Sequence, residues 1–186
     1  MVAVSAFSLA TARLHLRPVA ATDLEALVAL HADPEVMRYV GAPASLEHMR
    51  DDVLPRWAVM AARFPGCGFF AAQEAATGVF IGWFHLKPNA DDPRDLDLGY
   101  RLARDFWGRG YGTEGSRALV AHAFGSLGAR RLTAHALAAN QASRHVLEKC
   151  GFHFAGFYHE TRFPGGAAAV RYELAAGASP EGGGLS

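Results

Sequence analysis

The segment Trp107-Gly-Arg-Gly-Tyr-Gly-Thr-Glu114 sets three glycines within five positions, between a stretch of strand periodicity and a stretch of helical periodicity. A turn of this kind can be made only where the backbone adopts angles that side chains disfavour. It also leaves main-chain N–H groups bare at the positive end of a helix dipole, where a phosphate or diphosphate is stabilised. A plain strand-to-helix turn satisfies the same glycines, so the flanking residues must decide between the two.

The flanks read as one mixed α/β domain. Arg13 to Arg17 alternates apolar and polar residues, as a half-buried strand does, and Pro18 stops it. Thr22 and Asp23 are predicted to cap a helix carrying Leu24, Leu27, Val28 and Leu30, which Asp33-Pro34 ends. Ser45 and residues 48–64 read as further helix, kinked or divided at Pro55. Gly68 to Glu74 and Val79 to Lys87 form a predicted hairpin around Ala-Ala-Thr-Gly, and Asp95 to Ala103 a third antiparallel strand. After the glycine turn come a helix ending near Gly128, a strand from Arg131 to Leu137 and a helix from Asn140 to Cys150. Phe152 to His159 and Ala169 to Leu174 make a final strand pair. Residues 1–10 are expected to be a flexible N-terminus, 11–176 a single domain, and the Gly/Ser/Pro-rich 177–186 a disordered tail.

Composition narrows the function. Eighteen Lys and Arg balance eighteen Asp and Glu over 186 residues, so no net cationic field draws the chain to nucleic acid or an anionic membrane. No apolar run approaches the ~18 residues of a membrane span. No basic residue precedes Arg13, so a secretory signal lacks its charged region. Two cysteines, Cys67 and Cys150, are too few for a disulfide scaffold and suit a reducing, cytoplasmic setting. Nine histidines form no zinc-type motif, so no metal is expected.

Three phosphate-binding readings compete for the glycine turn. A Walker loop requires Lys-Ser or Lys-Thr after the glycines, and neither pair is present. Gly110, Gly112 and Gly115 match G-x-G-x-x-G, but no Asp or Glu lies between Gly115 and Leu147 to hold a ribose, and hairpin texture precedes the loop. The third reading is the diphosphate loop of an acyl-CoA-dependent transferase. In favour of it, the chain resembles the GNAT superfamily of N-acetyltransferases, in particular its ribosomal-protein-alanine acetyltransferase (RimJ/RimL-like) branch, from about Thr11 to Leu174. The carriers are T-A-R-L-H-L-R-P (11–18), D-P-E-V-M-R-Y-V (33–40), D-L-G-Y-R-L (97–102), W-G-R-G-Y-G-T-E (107–114) and N-Q-A-S-R-H-V-L-E-K-C-G-F (140–152).

The resemblance implies a splayed, mostly antiparallel sheet flanked by helices, an α/β (α+β) fold. The strands bearing Asp97 and Thr133 would part into a V-shaped cleft for acetyl-CoA. It implies coenzyme contacts at Leu98, Tyr100 and Leu102 on one strand, at Trp107, Arg109, Gly110, Tyr111, Gly112 and Thr113 in the loop, and at Asn140 and Ser143 beyond it. Trp107 stands where the family usually has Gln or Arg, which leaves the backbone role intact. Asn140 also suits a helix N-cap.

Acetyl transfer needs a neutral amine, since an ammonium has no lone pair. Deprotonating a lysine-like amine at pH 7 costs about 4.6 kcal/mol, against about 1 kcal/mol for an α-amine. Asp97 is the candidate base, one methylene shorter than the glutamate that relatives place there; a strand carboxylate paired with Arg101 or Arg104 is the competing reading. Leu147 takes the place of the usual tyrosine acid, and Ser143 aligns with the serine the ribosomal branch sets near the sulfur. Tyr100, Trp83, Glu114 and His85 are candidates for the acceptor side. The expectation is an N-acetyltransferase that moves an acetyl group directly to a primary amine, that of a protein N-terminus or of a small molecule, as monomer or homodimer, with no nucleic-acid or membrane partner. The alternative is a non-catalytic coenzyme-A-sensing module on the same fold.

Overall fold

A computed structural model describes residues 7–163 and 165–177. The disordered tail expected over 177–186 lies outside these residues but for Gly177. Eight strands form one sheet in the order β1-β2-β3-β4-β5-β6-β8-β7. They are β1 (Leu9–Ala10), β2 (Leu14–Pro18), β3 (Gly68–Glu74), β4 (Phe80–Pro88), β5 (Asp95–Leu102), β6 (Arg131–Leu137), β7 (His153–Glu160) and β8 (Ala167–Ala175). Every neighbouring pair is antiparallel except β5 and β6. The parallel pair holds register over three residues only: Asp95 opposite Arg131, Leu96 opposite Leu132 and Asp97 opposite Thr133. Beyond Asp97, β5 stays bonded to β4 as far as Leu102, and β6 stays bonded to β8 as far as Leu137. The two halves of the sheet therefore diverge from Asp97 onward. The closed end is tied by Asp95, whose carboxylate meets the guanidinium of Arg130 at 2.9 Å and that of Arg131 at 2.6 Å.

Six helices cover the two faces: α1 (Leu24–Ala32), α2 (Pro34–Met37), α3 (Leu46–His48), α4 (Leu54–Arg63), α5 (Tyr111–Gly125) and α6 (Gln141–Lys149). One core joins the sheet to the C-terminal helices through Leu16, Phe70, Phe84, Leu98, Leu119, Leu147 and Tyr172. A second lies on the opposite face, where Leu27, Leu30, Met49 and Trp83 meet Trp57 and Phe69. The expected division of the 48–64 helix at Pro55 takes a specific form. A π-helical turn over Met49–Val53 connects α3 to α4, so proline, which has no N–H to donate, stands in the first turn of α4.

The N-terminus differs from the sequence expectation. Leu9 and Ala10 pair with Leu16 and His15, and the Phe7 ring stacks on His122 with centroids 4.1 Å apart. A two-residue edge strand is too short to leave an alternation pattern, and the apolar residues that anchor it resemble those of any loose terminus. Asp23, expected as a cap, instead binds Arg17 at 2.6 and 2.8 Å and accepts from the Ala20 amide at 2.8 Å.

Candidate active site

The glycine turn does what its composition requires. Gly110 has φ of 83° and is the residue before α5, so the helix begins at Tyr111 with its first amides facing outward. Arg13 holds the turn from behind: Nη1 donates to the Arg109 carbonyl at 2.9 Å, and Nε and the main-chain N–H donate to Glu114 at 2.7 and 2.8 Å. Thr11 donates to the same carboxylate at 2.6 Å. Glu114 is thus a strut between the loop and the start of β2, not a wall of an acceptor site.

Two cavities flank the point where β5 leaves β6. The first, of about 380 Å³, lies between the glycine turn and α6. Of the residues expected to contact coenzyme, Tyr100, Leu102, Trp107, Gly110, Tyr111, Gly112, Thr113, Asn140 and Ser143 line it. Leu98 borders the other cavity, and Arg109 lines neither, its guanidinium lying over the Phe106 ring. Leu98, Leu102 and Tyr111 are buried in the core, and the Tyr111 hydroxyl donates to Glu74 at 2.6 Å, so these three can offer a ligand little but main chain. A Cβ on Gly112 would stand 3.2 Å from the Tyr100 ring, tighter than an ordinary contact, so glycine suits a cradle in which a diphosphate approaches main-chain amides. The residues present therefore fit coenzyme A.

Asn140 caps α6, its Oδ1 accepting from the Ser143 amide at 3.1 Å. The Ser143 hydroxyl lies beside that of Tyr100, whose phenol is pushed up to about 12 by burial. Leu147 is buried in the core and does not line the cavity.

The second cavity, of about 600 Å³, is lined by charged groups from both arms of the split sheet. Alternation along β5 sends Asp97, Gly99 and Arg101 to this face, opposite Lys87, His85 and Trp83 of β4. Asp97 meets His85 Nε2 and Lys87 Nζ, each at 3.0 Å, and not Arg101 or Arg104. His135, from β6, sets its Nε2 3.7 Å from Asp97 Oδ1. Burial pushes the Asp97 carboxyl up, but the hydrogen bond from His85 and the charges of His85 and Lys87 outweigh it and hold it at about 2. Burial also lowers His85 and His135 below the ordinary imidazole range, against the opposing pull of Asp97.

Of the four acceptor-side candidates, only His85 borders this cavity. Tyr100 lines the first, and Trp83 is buried beneath the site. His135, Lys87 and Arg162 were not singled out from the sequence, and Arg101 was named only as a possible ion-pair partner of Asp97. Strand alternation was the available signal, since Arg101 stands four residues after Asp97 and Lys87 two after His85. Among the described residues, no group of three or more His, Cys, Asp or Glu is arranged to hold a metal, and no helix is long and apolar enough to cross a membrane.

A family model described as the acetyltransferase (GNAT) domain matches residues 13–153. The FsC-acetyl coenzyme A-N(2)-transacetylase of Aspergillus fumigatus is 32% identical over 179 residues, covering 90% of this chain and 75% of that protein. A solved acetyltransferase of Agrobacterium tumefaciens str. C58 superposes with a TM-score of 0.74 at 27% identity, covering 91% of this chain and 95% of that one. RimL, described as the ribosomal L7/L12 alpha-N-protein acetyltransferase in complex with coenzyme A, superposes with a TM-score of 0.79 over 91% of this chain and 98% of its own. At 19% identity, that likeness is one of fold.

Proposed function

The chain belongs to the GNAT acetyltransferase family, and from that premise we propose that it transfers an acetyl group from acetyl-CoA directly to a primary amine, as a member of the RimJ/RimL-like branch. One observation carries the reading: β5 and β6 part after three paired residues, immediately beside a helix N-terminus fronted by a glycine turn. The parted edge of β5 is left with unpaired main-chain groups, and the turn supplies amides for a diphosphate. The N(2) in the name of the Aspergillus relative supports a nitrogen acceptor.

Acetyl-CoA would supply an activated acyl group as a thioester. The amides of residues 110–113 would hold its diphosphate, and Asn140 and Ser143 its pantetheine arm. In the reaction a C–N bond forms and the C–S bond breaks; the neutral amine gives up one proton and the departing sulfur gains one. Asp97 handles the amine proton as part of a pair. With its carboxyl at about 2 it is a poor resting place for a proton, so the half-exposed imidazole of His135 carries it while Asp97 Oδ1 faces the charge that develops. The Ser143 hydroxyl, which lines the coenzyme cavity, would face the sulfur, where a thiolate near pKa 8.5 leaves readily.

The test is calorimetry with coenzyme A and acetyl-CoA, followed by thiol release with a panel of amines. Binding of both and acceptor-dependent release are expected. Binding without release for any amine favours the coenzyme-sensing alternative, and absence of binding overturns both readings. Gly112→Val, which fills the cradle, is expected to weaken coenzyme binding at least tenfold with the far-ultraviolet spectrum unchanged.

A further inference from the structure

Arg101 lines both cavities at the point where they meet, and among the described residues no other does. The remaining cations around the larger cavity have carboxylate partners: Lys87 lies 3.0 Å from Asp97, and Arg162 lies 2.8 Å from Glu160. Arg101 has none among the described residues. Its Nε is buried without a hydrogen-bond partner, and the guanidinium rests over the Trp83 ring with its carbon 4.9 Å from the centroid. Trp83 is itself fixed, its indole N–H donating to His31 Nε2 at 3.2 Å. The cation is thus packed on a fixed ring, partly buried and left without a countercharge among the described residues, although a guanidinium has donors only and stays ionised at pH 7. Burial lowers it, with help from the charge of Arg162, but only to about 10.

An ion buried in this way is costly unless something pairs with it. Since the protein offers no acid, the countercharge comes from a ligand. The phosphates of coenzyme A are not the source, because the diphosphate is assigned to the turn at 110–113, the ribose phosphate lies beyond it on the nucleotide side, and the pantetheine arm that reaches the junction carries no charge. The anion therefore belongs to the acceptor. A planar fork of donors matches a carboxylate in particular. Asp97 and Arg101 are four residues apart on one strand, about 13 Å between Cα atoms, with Gly99 midway. One small molecule can reach the proton-handling pair with its amine and Arg101 with its acid.

We propose that Arg101 is a carboxylate-binding subsite and that the acceptor is a free amino acid, not an amine lacking an adjacent acid and not a peptide N-terminus. This rests on the acetyl-transfer reading for the identity of the reaction, but not for the existence of the subsite.

The experiment compares free L-amino acids, diamino acids included, with their carboxamides, their decarboxylated amines and short peptides. Thiol release is measured for wild type, R101Q and R101K, and amino-acid binding to the protein saturated with coenzyme A is measured separately by calorimetry. Wild type should prefer at least one amino acid to its carboxamide by about 10²-fold in kcat/KM, the range expected for a hydrogen-bonded charge pair. In R101Q that ratio should fall to near one, and in R101K, which keeps the charge but loses the fork, to an intermediate value. Coenzyme affinity and melting temperature should stay at the wild-type level in R101K. Equal use of acid and carboxamide by wild type overturns the proposal, as does a weakened coenzyme affinity in R101K with acceptor preference intact. If no amine supports thiol release but amino-acid binding is present and lost in R101Q, the subsite stands and the acetyl-transfer reading falls. If amino acids neither bind nor react, the subsite falls.

Discussion

At the scale of single residues, the cleft is governed by how charge is shared around Asp97. Burial lowers His135 and the Asp97 carboxylate raises it, so removing that carboxylate leaves burial and the charges of Arg171, Lys87 and Arg162 to lower the imidazole further. In Asp97→Asn, the acidic limb of the kcat profile should accordingly move to lower pH, and kcat should fall by roughly 10²-fold, the low end for a lost acid–base group. Steady-state rates from pH 5 to 9 check both. Stability follows the same carboxyl: because it is held at about 2 against an ordinary 3.8, its contribution is fully present above 3.8 and is lost as pH falls towards 2. Wild type should lose melting temperature over that window more steeply than Asp97→Asn. Ser143→Ala is expected to retain measurable turnover, since the thiolate leaves without strong assistance; complete loss with coenzyme binding intact would contradict that role.

At the scale of elements, α5 lies close to the sheet because its inner face is small. A Cβ at Gly115 would run into the Phe84 ring, which is fully buried at the centre of β4 and has no room to yield. Gly115→Ala should therefore cost about 1–3 kcal/mol through overpacking, despite alanine's better helix propensity, and thermal melting would show it. Caps and breaks that depend only on their own neighbours were readable in advance, whereas Asp23, drawn to Arg17 on β2, does not cap α1. Asn140 caps α6 as its position suggested, and Pro55 interrupts the helix of residues 46–63. The π-helical form of that interruption was not readable, since it depends on how Met49 must turn to reach the second core.

At the scale of the whole molecule, the split sheet depends on its closed end. Asp95 is almost fully buried while its partners Arg130 and Arg131 are partly exposed, so removing the acid breaks four charge-assisted hydrogen bonds. Asp95→Ala should lower stability by about 2 kcal/mol in denaturant unfolding and weaken coenzyme binding, because the angle between the two arms is set there.

The chain alone determined what adjacent residues can settle: strand alternation, helix caps, and a glycine turn with bare amides before α5, because backbone angles and local hydrogen bonds follow from neighbours in sequence. Only the tertiary structure decided which side chains share a cavity. His85 and Lys87 of β4, Asp97 and Arg101 of β5, and His135 of β6 converge because β4 and β5 stay paired throughout while β5 and β6 hold register for three residues and then part. Whether a charge finds a partner depends on that convergence. Asp97 lies among three possible partners and Arg101 among none, though a single strand carries both.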